Sequence, residues 1–492
     1  MVYFFPQVLA VAVVGVLFQA IYRPDGTGVI NGLLNVVGLG PVGWLIDTNL
    51  ALWSIMGVVI WQSVGFYVVL FSAGMSAIPR DVFEAAALDG AGRFRLFFSI
   101  TLPLIWDTIQ VGWVYLGIAA FDCFALVQVL SVDRGGPDNA TTVLPLEIWR
   151  TAFTFSKFGY ASAMGVALFF LTITFAALSL RDAPREDRAL MATHTDTVRV
   201  AGAPRATARP SRPRNPLGAF GVLSHLALVV WMILVVGPIL WTFLASFKTN
   251  GEIVGDAPLA LPHDFSWDAW GRAWEKAHIG TYMLNTVYVV AISTAFTMLF
   301  GSMAAYVLAR YRFFGNRIVY YLFVSGLSFP VFLALVPLFF VVRNLGLIDT
   351  HVGVILVYIA YSLPFTVFFL TAFFKTLPTS VAEAAMMDGA SHTRTFFQIM
   401  MPMARPGLIS ITIFNILGQW NQYLLPIVLL SGGVEDKWLI TQGIANINTN
   451  AGYEADWPGL FAALSMAIIP MLIVYIIFQR QIQSGLTAGA VK

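Results

Sequence analysis

The chain has 492 residues, of which 58% are hydrophobic and 11% charged, and its mean hydropathy is +0.78. That is too apolar and too poor in charge for a soluble protein. A net charge of +2 offers no argument for nucleic acid, and the single cysteine, Cys123, excludes an internal disulfide or a multi-cysteine metal cluster.

Runs of about twenty residues nearly free of charge, as spanning helices require, recur along the chain. They fall at 3–22, 51–75, 106–130 and 158–180, then at 219–246, 281–309, 316–342, 352–374, 407–430 and 458–478. The fold class predicted is an all-α integral membrane protein with about ten transmembrane helices. Met1 begins almost at the first run, with no basic n-region and no small-residue cleavage site, so no removable signal peptide is expected. Between the first two spans, GVINGLLNVVGLGPVGWLID (28–47) is broken by five glycines and a proline. It is expected to lie at the interface without spanning. Residues 181–218 are rich in Arg, Pro, Ala and Thr and lack apolar periodicity, which predicts a disordered tether. Contact of its arginines with anionic lipid or nucleic acid is a weaker reading than topogenic charge on a linker. The tether divides the chain into a four-span half, 1–180, and a six-span half, 219–492.

One stretch occurs twice. Residues 84–106 read EAAALDGAGRFRLFFSITLPLIW and residues 383–405 read EAAMMDGASHTRTFFQIMMPMAR. At a constant offset of 299, Glu84, Ala85, Ala86, Asp89, Gly90 and Pro103 fall on Glu383, Ala384, Ala385, Asp388, Gly389 and Pro402. A register kept without gaps marks a duplication or a fusion of two related subunits. Pro79 and Pro378 stand where a helix can begin. Gly90 and Gly389 suit a left-handed cap that ends it, and a second short helix then runs to the following proline. The expected product is a helical knuckle between two spans, shaped to be gripped by a partner; an ordinary loop would not keep Glu, Asp, Gly and Pro in register.

With Met1 inside, both knuckles, the 181–218 connector and the C-terminus share one face. That face carries 19 of the 28 Lys and Arg residues, including eight arginines from Arg181 to Arg214, and the positive-inside bias favours this orientation.

The pattern Glu-Ala-Ala, two residues, Asp-Gly-Ala, then Ile-x-x-Pro resembles the cytoplasmic coupling loop of binding-protein-dependent ABC importer permeases. In that family the loop docks into a cleft of the ATP-binding subunit. SFKTNGEI, AAYVLARYRFFGNR, FNILGQWNQYLLPIVLL and GLTAGAVK in the second half resemble the carbohydrate-uptake, maltose-like class, as does GGPDNATTVLPLEIWRTAF in the first. The resemblance covers nearly the whole chain outside the connector. It implies a type I ABC importer permease fold in tandem, in the plasma membrane of a prokaryote, with both termini cytoplasmic. It also implies an ABC ATPase subunit in two copies, an extracytoplasmic solute-binding protein, the lipid bilayer and a sugar substrate as partners. The first half begins where that family's third helix begins. The expectation is therefore an upstream in-frame extension with two more spans, or a poorly functional chain.

A P-loop is absent, since none of the six lysines has the required glycine context. No cofactor is expected in this chain; ATP and Mg would belong to the partner ATPase. The six histidines form no close pair, so no metal site is expected. Polar residues inside the spans are the better lead, because they are expensive there and usually face a cavity or a partner. After the first knuckle these are Asp122 and Gln128, with Trp113, Tyr115 and Phe121 nearby; after the second they are Asn415, Gln419, Trp420, Asn421, Gln422 and Tyr423. The competing reading for each is interhelical hydrogen bonding. As a cluster they are expected to form a substrate path, with Gln419 grouped with Gln422 and Tyr423 by helical spacing. Alternatives are a non-sugar cargo such as glycerol phosphate or a peptide, or a secondary transporter with repeated halves.

Overall fold

The structure is a computed structural model that describes residues 2–25, 28–181, 219–255, 259–327, 329–454 and 456–490. The connector predicted at 181–218 lies outside these residues apart from Arg181. The described residues form helices and turns with no strand. In hydrocarbon the backbone must satisfy its own polar groups, and a helix does so within one segment.

The first half contributes α1 (Val11–Ile21), α2 (Ala51–Ser76), α3 (Arg80–Leu88), α4 (Trp106–Phe121), α5 (Ala125–Leu130) and α6 (Phe158–Arg181). The second contributes α7 (Ala219–Ala245), α8 (Ile279–Arg310), α9 (Asn316–Gly326), α10 (Val331–Asn344), α11 (His351–Thr376) and α12 (Thr379–Met387). It continues with α13 (Arg405–Trp420), α14 (Leu424–Leu429), α15 (Ile440–Glu454) and α16 (Trp457–Ala490). The 299-residue offset holds for whole elements: α3, α4 and α5 map onto α12, α13 and α14 end to end, and α6 begins where α16 does.

Among the described residues, six helices are unbroken, long and apolar enough to cross a membrane, and nine segments are if each bent pair counts as one span. The tenth predicted span, 3–22, is split at Leu9–Ala10 into Phe5–Val8 and α1. The predicted spans 106–130 and 407–430 are likewise interrupted, at Asp122–Phe124 and Asn421–Tyr423. Periodicity misses such breaks because apolar residues continue through them.

The 24–50 segment folds around Asn31, which is fully buried. Its amide donates to the carbonyls of Arg23 and Val42 at 2.8 and 2.9 Å, and its oxygen accepts from Val42 N and Trp44 Nε1. Among its described residues only the short helix Val29–Val36 forms, too short to span.

The halves interlock through one apolar core. α6 packs against α10, and α1 packs against α5 and, across the halves, α15. α7 crosses onto the first half. Pro238 inside α7 has no N–H for the carbonyl of Leu234, four residues earlier. Trp61 Nε1 of α2 donates to that freed carbonyl at 2.8 Å.

Candidate functional site

Both knuckles lie at one end of the bundle and are built alike. α3 ends at Gly90 with φ of +75°, and α12 ends at Gly389 with φ of +84°. No atom lies within 4 Å of a Cβ built on either, so the glycine serves the backbone turn alone. The second helices, 93–104 and 392–403, each contain a π-helical turn, at 97–101 and 395–400. That wider turn directly precedes Pro103 or Pro402 and gives room for a ring that clashes in an α-helix interior. Pro79 and Pro378 stand at the N-cap, one residue before the first turn where the sequence pattern puts them.

Glu84, Ala85, Asp89, Gly90 and Pro103 are exposed, as are Glu383, Ala384, Asp388, Gly389 and Pro402; Ala86 and Ala385 are buried and anchor each knuckle. Sequence reasoning missed Leu88 and Met387, which share the 299 register and are 89% and 88% exposed at the knuckle tips. Their signal was there: an apolar residue at the same place in both copies, immediately before the acidic one.

The two knuckles differ in support. Phe396 is buried against Tyr306 of α8, with ring centroids 5.0 Å apart. Its counterpart Phe97 is 44% exposed, and no described helix of the first half stands where α8 stands in the second.

The spans after the knuckles separate the expected path residues into groups. Tyr115 pairs with Phe66 at 6.2 Å, and in the same register Phe414 pairs with Phe365 at 6.1 Å. Phe365 and Phe414 line a cavity of about 400 Å³ with Tyr358, Tyr361, Gln419 and Gln422. Asp122 is exposed and lies within electrostatic reach of Tyr361. The Tyr358 hydroxyl is buried and has no hydrogen-bond partner. None of Tyr358, Tyr361, Phe365 and Phe414 was found from sequence, because aromatic residues are common in every span.

The other expected path residues are spread over different contacts. Trp113 is 62% exposed and sits on a different face of α4 from Tyr115 and Asp122; two residues apart on a helix cannot share a face. Phe121 leans on Phe175 of α6, 5.8 Å away. Gln419 is buried, and its oxygen accepts from Ser293 and Thr294 while its amide donates to Ser362, so it ties α13 to α8 and α11. Trp420 is buried in the core. Asn421 donates to the carbonyl of Val8 at 3.0 Å, beside the break at Leu9–Ala10. Because α13 ends at Trp420, Tyr423 does not join Gln419 and Gln422 on one face. It stacks on Phe124, its own counterpart at offset 299, with centroids 6.4 Å apart.

Beyond that stack, on the side away from the knuckles, lies a second cavity of about 490 Å³ between the halves. Gln128, Trp149, Tyr423, Trp438 and Gln442 line it. Gln128 Oε1 and Trp149 Nε1 are buried and have no hydrogen-bond partner. Phe124 also touches Trp149 at 6.0 Å and Phe332 at 5.5 Å; Tyr423 and Trp149 of this aromatic group line the second cavity, and Gln422, next to Tyr423, lines the first.

The chain matches the family described as the binding-protein-dependent transport system inner membrane component over residues 1–184 and again over 297–487. It is 47% identical over 273 residues to the diacetylchitobiose uptake system permease protein NgcG of Streptomyces coelicolor, covering 56% of this chain and 89% of the relative. It is 45% identical over 178 residues to NgcF, a permease protein of the diacetylchitobiose uptake system of the same organism, covering 36% of this chain and half of that relative's length. Against the trehalose transport system permease protein SugB of Mycobacterium tuberculosis the identity is 34% over 257 residues, or 52% of this chain and 92% of the relative. The chain therefore belongs to the family of inner membrane components of binding-protein-dependent transport systems, and it carries that family's domain twice, in tandem.

Proposed function

We propose that this chain is a permease component of an ATP-driven importer for a chitooligosaccharide such as diacetylchitobiose. The observation that carries the reading is a pairing. The two alignments to the diacetylchitobiose permeases have the lengths of the second and first halves, so the chain reads as both partners joined through the 181–218 connector. Each knuckle would dock one copy of an ATPase subunit, with the exposed carboxylates Glu84, Asp89, Glu383 and Asp388 and the apolar tips Leu88 and Met387 facing it. ATP and Mg would be held there. The knuckle side and both termini would be cytoplasmic, with the solute-binding protein delivering cargo to the far side.

The cavities suit a polyhydroxylated cargo. Flat aromatic faces accept sugar rings, and a few placed polar groups fix their orientation. On the far side, Gln128 Oε1 would accept from a hydroxyl, and the Trp149 indole would donate to a hydroxyl or acetamido oxygen. Past the Phe124–Tyr423 pair, Tyr115, Asp122, Tyr361, Phe414 and Gln422 would line the second stage. The test is reconstitution with the ATPase and binding protein and measurement of ATP-dependent uptake of labelled diacetylchitobiose. Uptake of trehalose instead would overturn the cargo and leave the importer; no ATP-dependent uptake of any saccharide would overturn the reading.

A further inference from the structure

On the knuckle side, a cavity of about 1020 Å³ opens where α8, α9, α11 and α12 meet. Four cations line it: Arg310 from the last turn of α8, Arg312 from the connecting turn, Arg317 from the first turn of α9 and Lys375 from the last turn of α11. No carboxylate lines it, and among the described residues no Asp or Glu pairs with any of the four. The turn is shaped by Gly315, whose φ of +86° places it in the left-handed region. Arg310 donates to the carbonyl of Leu377 and Lys375 lies over the Tyr320 ring, but neither contact supplies a full counter-charge, so the convergence of four cations points to an anion from outside the chain.

The surroundings identify which anion. Phe314 and Ile318, beside the arginines, are exposed at 102% and 71%, and Leu322, one turn further along α9, at 70%. No residue of α9 is buried. A soluble phosphate would gain nothing from this apolar surface, whereas acyl chains would cover it while the phosphate met the guanidinium groups. We infer that this cavity is a binding site for the headgroup of an anionic phospholipid, with the acyl chains laid along α9.

The site borders the second knuckle. Thr379, the first residue of α12, lines the cavity, and the Tyr311 hydroxyl lies 2.9 Å from His392 Nδ1 in the knuckle's second helix. A bound lipid would brace the turn on which that knuckle rests, and coupling would then respond to the anionic lipid content of the membrane. The inference does not depend on the cargo proposed above.

Native mass spectrometry of the full-length chain with phosphatidylglycerol or phosphatidylcholine tests it. The expected result is preferential retention of phosphatidylglycerol, reduced at least about fivefold by Arg312→Gln with Arg317→Gln. Both side chains are exposed, so the fold should survive the change. The charge-matched pair Arg80→Gln with Arg405→Gln, exposed on the same side, should keep the preference. An equal loss in that control pair would reduce the effect to general surface potential and overturn the site. Displacement of the lipid by inorganic phosphate at millimolar concentration, or no preference in the parent chain, would overturn it as well.

Discussion

Gln419 and Gln422 lie three residues apart, and the structure gives them different work. Both line the cavity, but Gln419 makes three buried hydrogen bonds to side chains on two other helices, whereas Gln422 follows the end of α13. Interhelical hydrogen bonds of this kind contribute about 0.6–2 kcal/mol each. Gln419→Ala should therefore lower the melting temperature of the purified chain, while Gln422→Ala should leave it unchanged and weaken uptake. The reverse outcome would exchange their roles. The sequence showed that both were polar residues in an apolar run and could show no more. Which of them is satisfied depends on Ser293, Thr294 and Ser362, which come from distant segments. Gly389 was more legible, since its role follows from local backbone alone. At a φ of +84° with open space around a Cβ, Gly389→Ala carries only the left-handed penalty, about 1–2 kcal/mol. Gly389→Val should be worse, because a β-branched residue is a stronger outlier there. Both variants should insert in the membrane, and ATP-driven uptake should fall further for Val than for Ala.

At the scale of elements, the repeat and most spans were legible, because long apolar runs and a fixed register survive without tertiary information. The breaks were not. Leu9–Ala10, Asp122–Phe124 and Asn421–Tyr423 interrupt runs that read as continuous, and they persist because neighbouring segments satisfy the freed backbone. Asn421 does so for Val8 at the first break, and Thr441 Oγ1 donates to the carbonyl of Gln422 at the third. The contact between Trp61 and α7 is the clearest case. Pro238 leaves the Leu234 carbonyl without its helical partner, and the indole of the other half supplies the donor. Trp61→Phe should destabilise the chain by about 1–3 kcal/mol, the cost of leaving a carbonyl unmet away from water. In a Pro238→Ala background the helix can close its own bond, so the same substitution should cost less. A double-mutant cycle in thermal unfolding measures the difference. Equal costs in both backgrounds would mean that the indole contributes packing and no hydrogen bond.

For the whole molecule, the central feature is the pairing of two breaks at equivalent places in the two halves. Phe124 and Tyr423 occupy the same register position and stack with centroids 6.4 Å apart; Tyr423 lines the cavity of about 490 Å³, and its neighbour Gln422 lines the one of about 400 Å³. A transporter must keep its two sides from opening together, and a bulky apolar contact between two bodies that move relative to one another does this without fixed bonds. The contact is buried: Phe124 is 2% exposed and Tyr423 is 7% exposed. Removing one ring should leave the other in the gap, because Phe332 and Trp149 still flank Phe124. Removing both should join the cavities into one passage. The prediction is that Phe124→Ala with Tyr423→Ala makes the resting protein permeable to small solutes, with either single variant largely sealed. Proteoliposomes loaded with a small fluorophore and diluted in the absence of ATP provide the measurement. The double variant should lose dye at least several times faster than the parent chain, and its helical content by circular dichroism should be retained. A double variant that folds and stays sealed would place the barrier elsewhere.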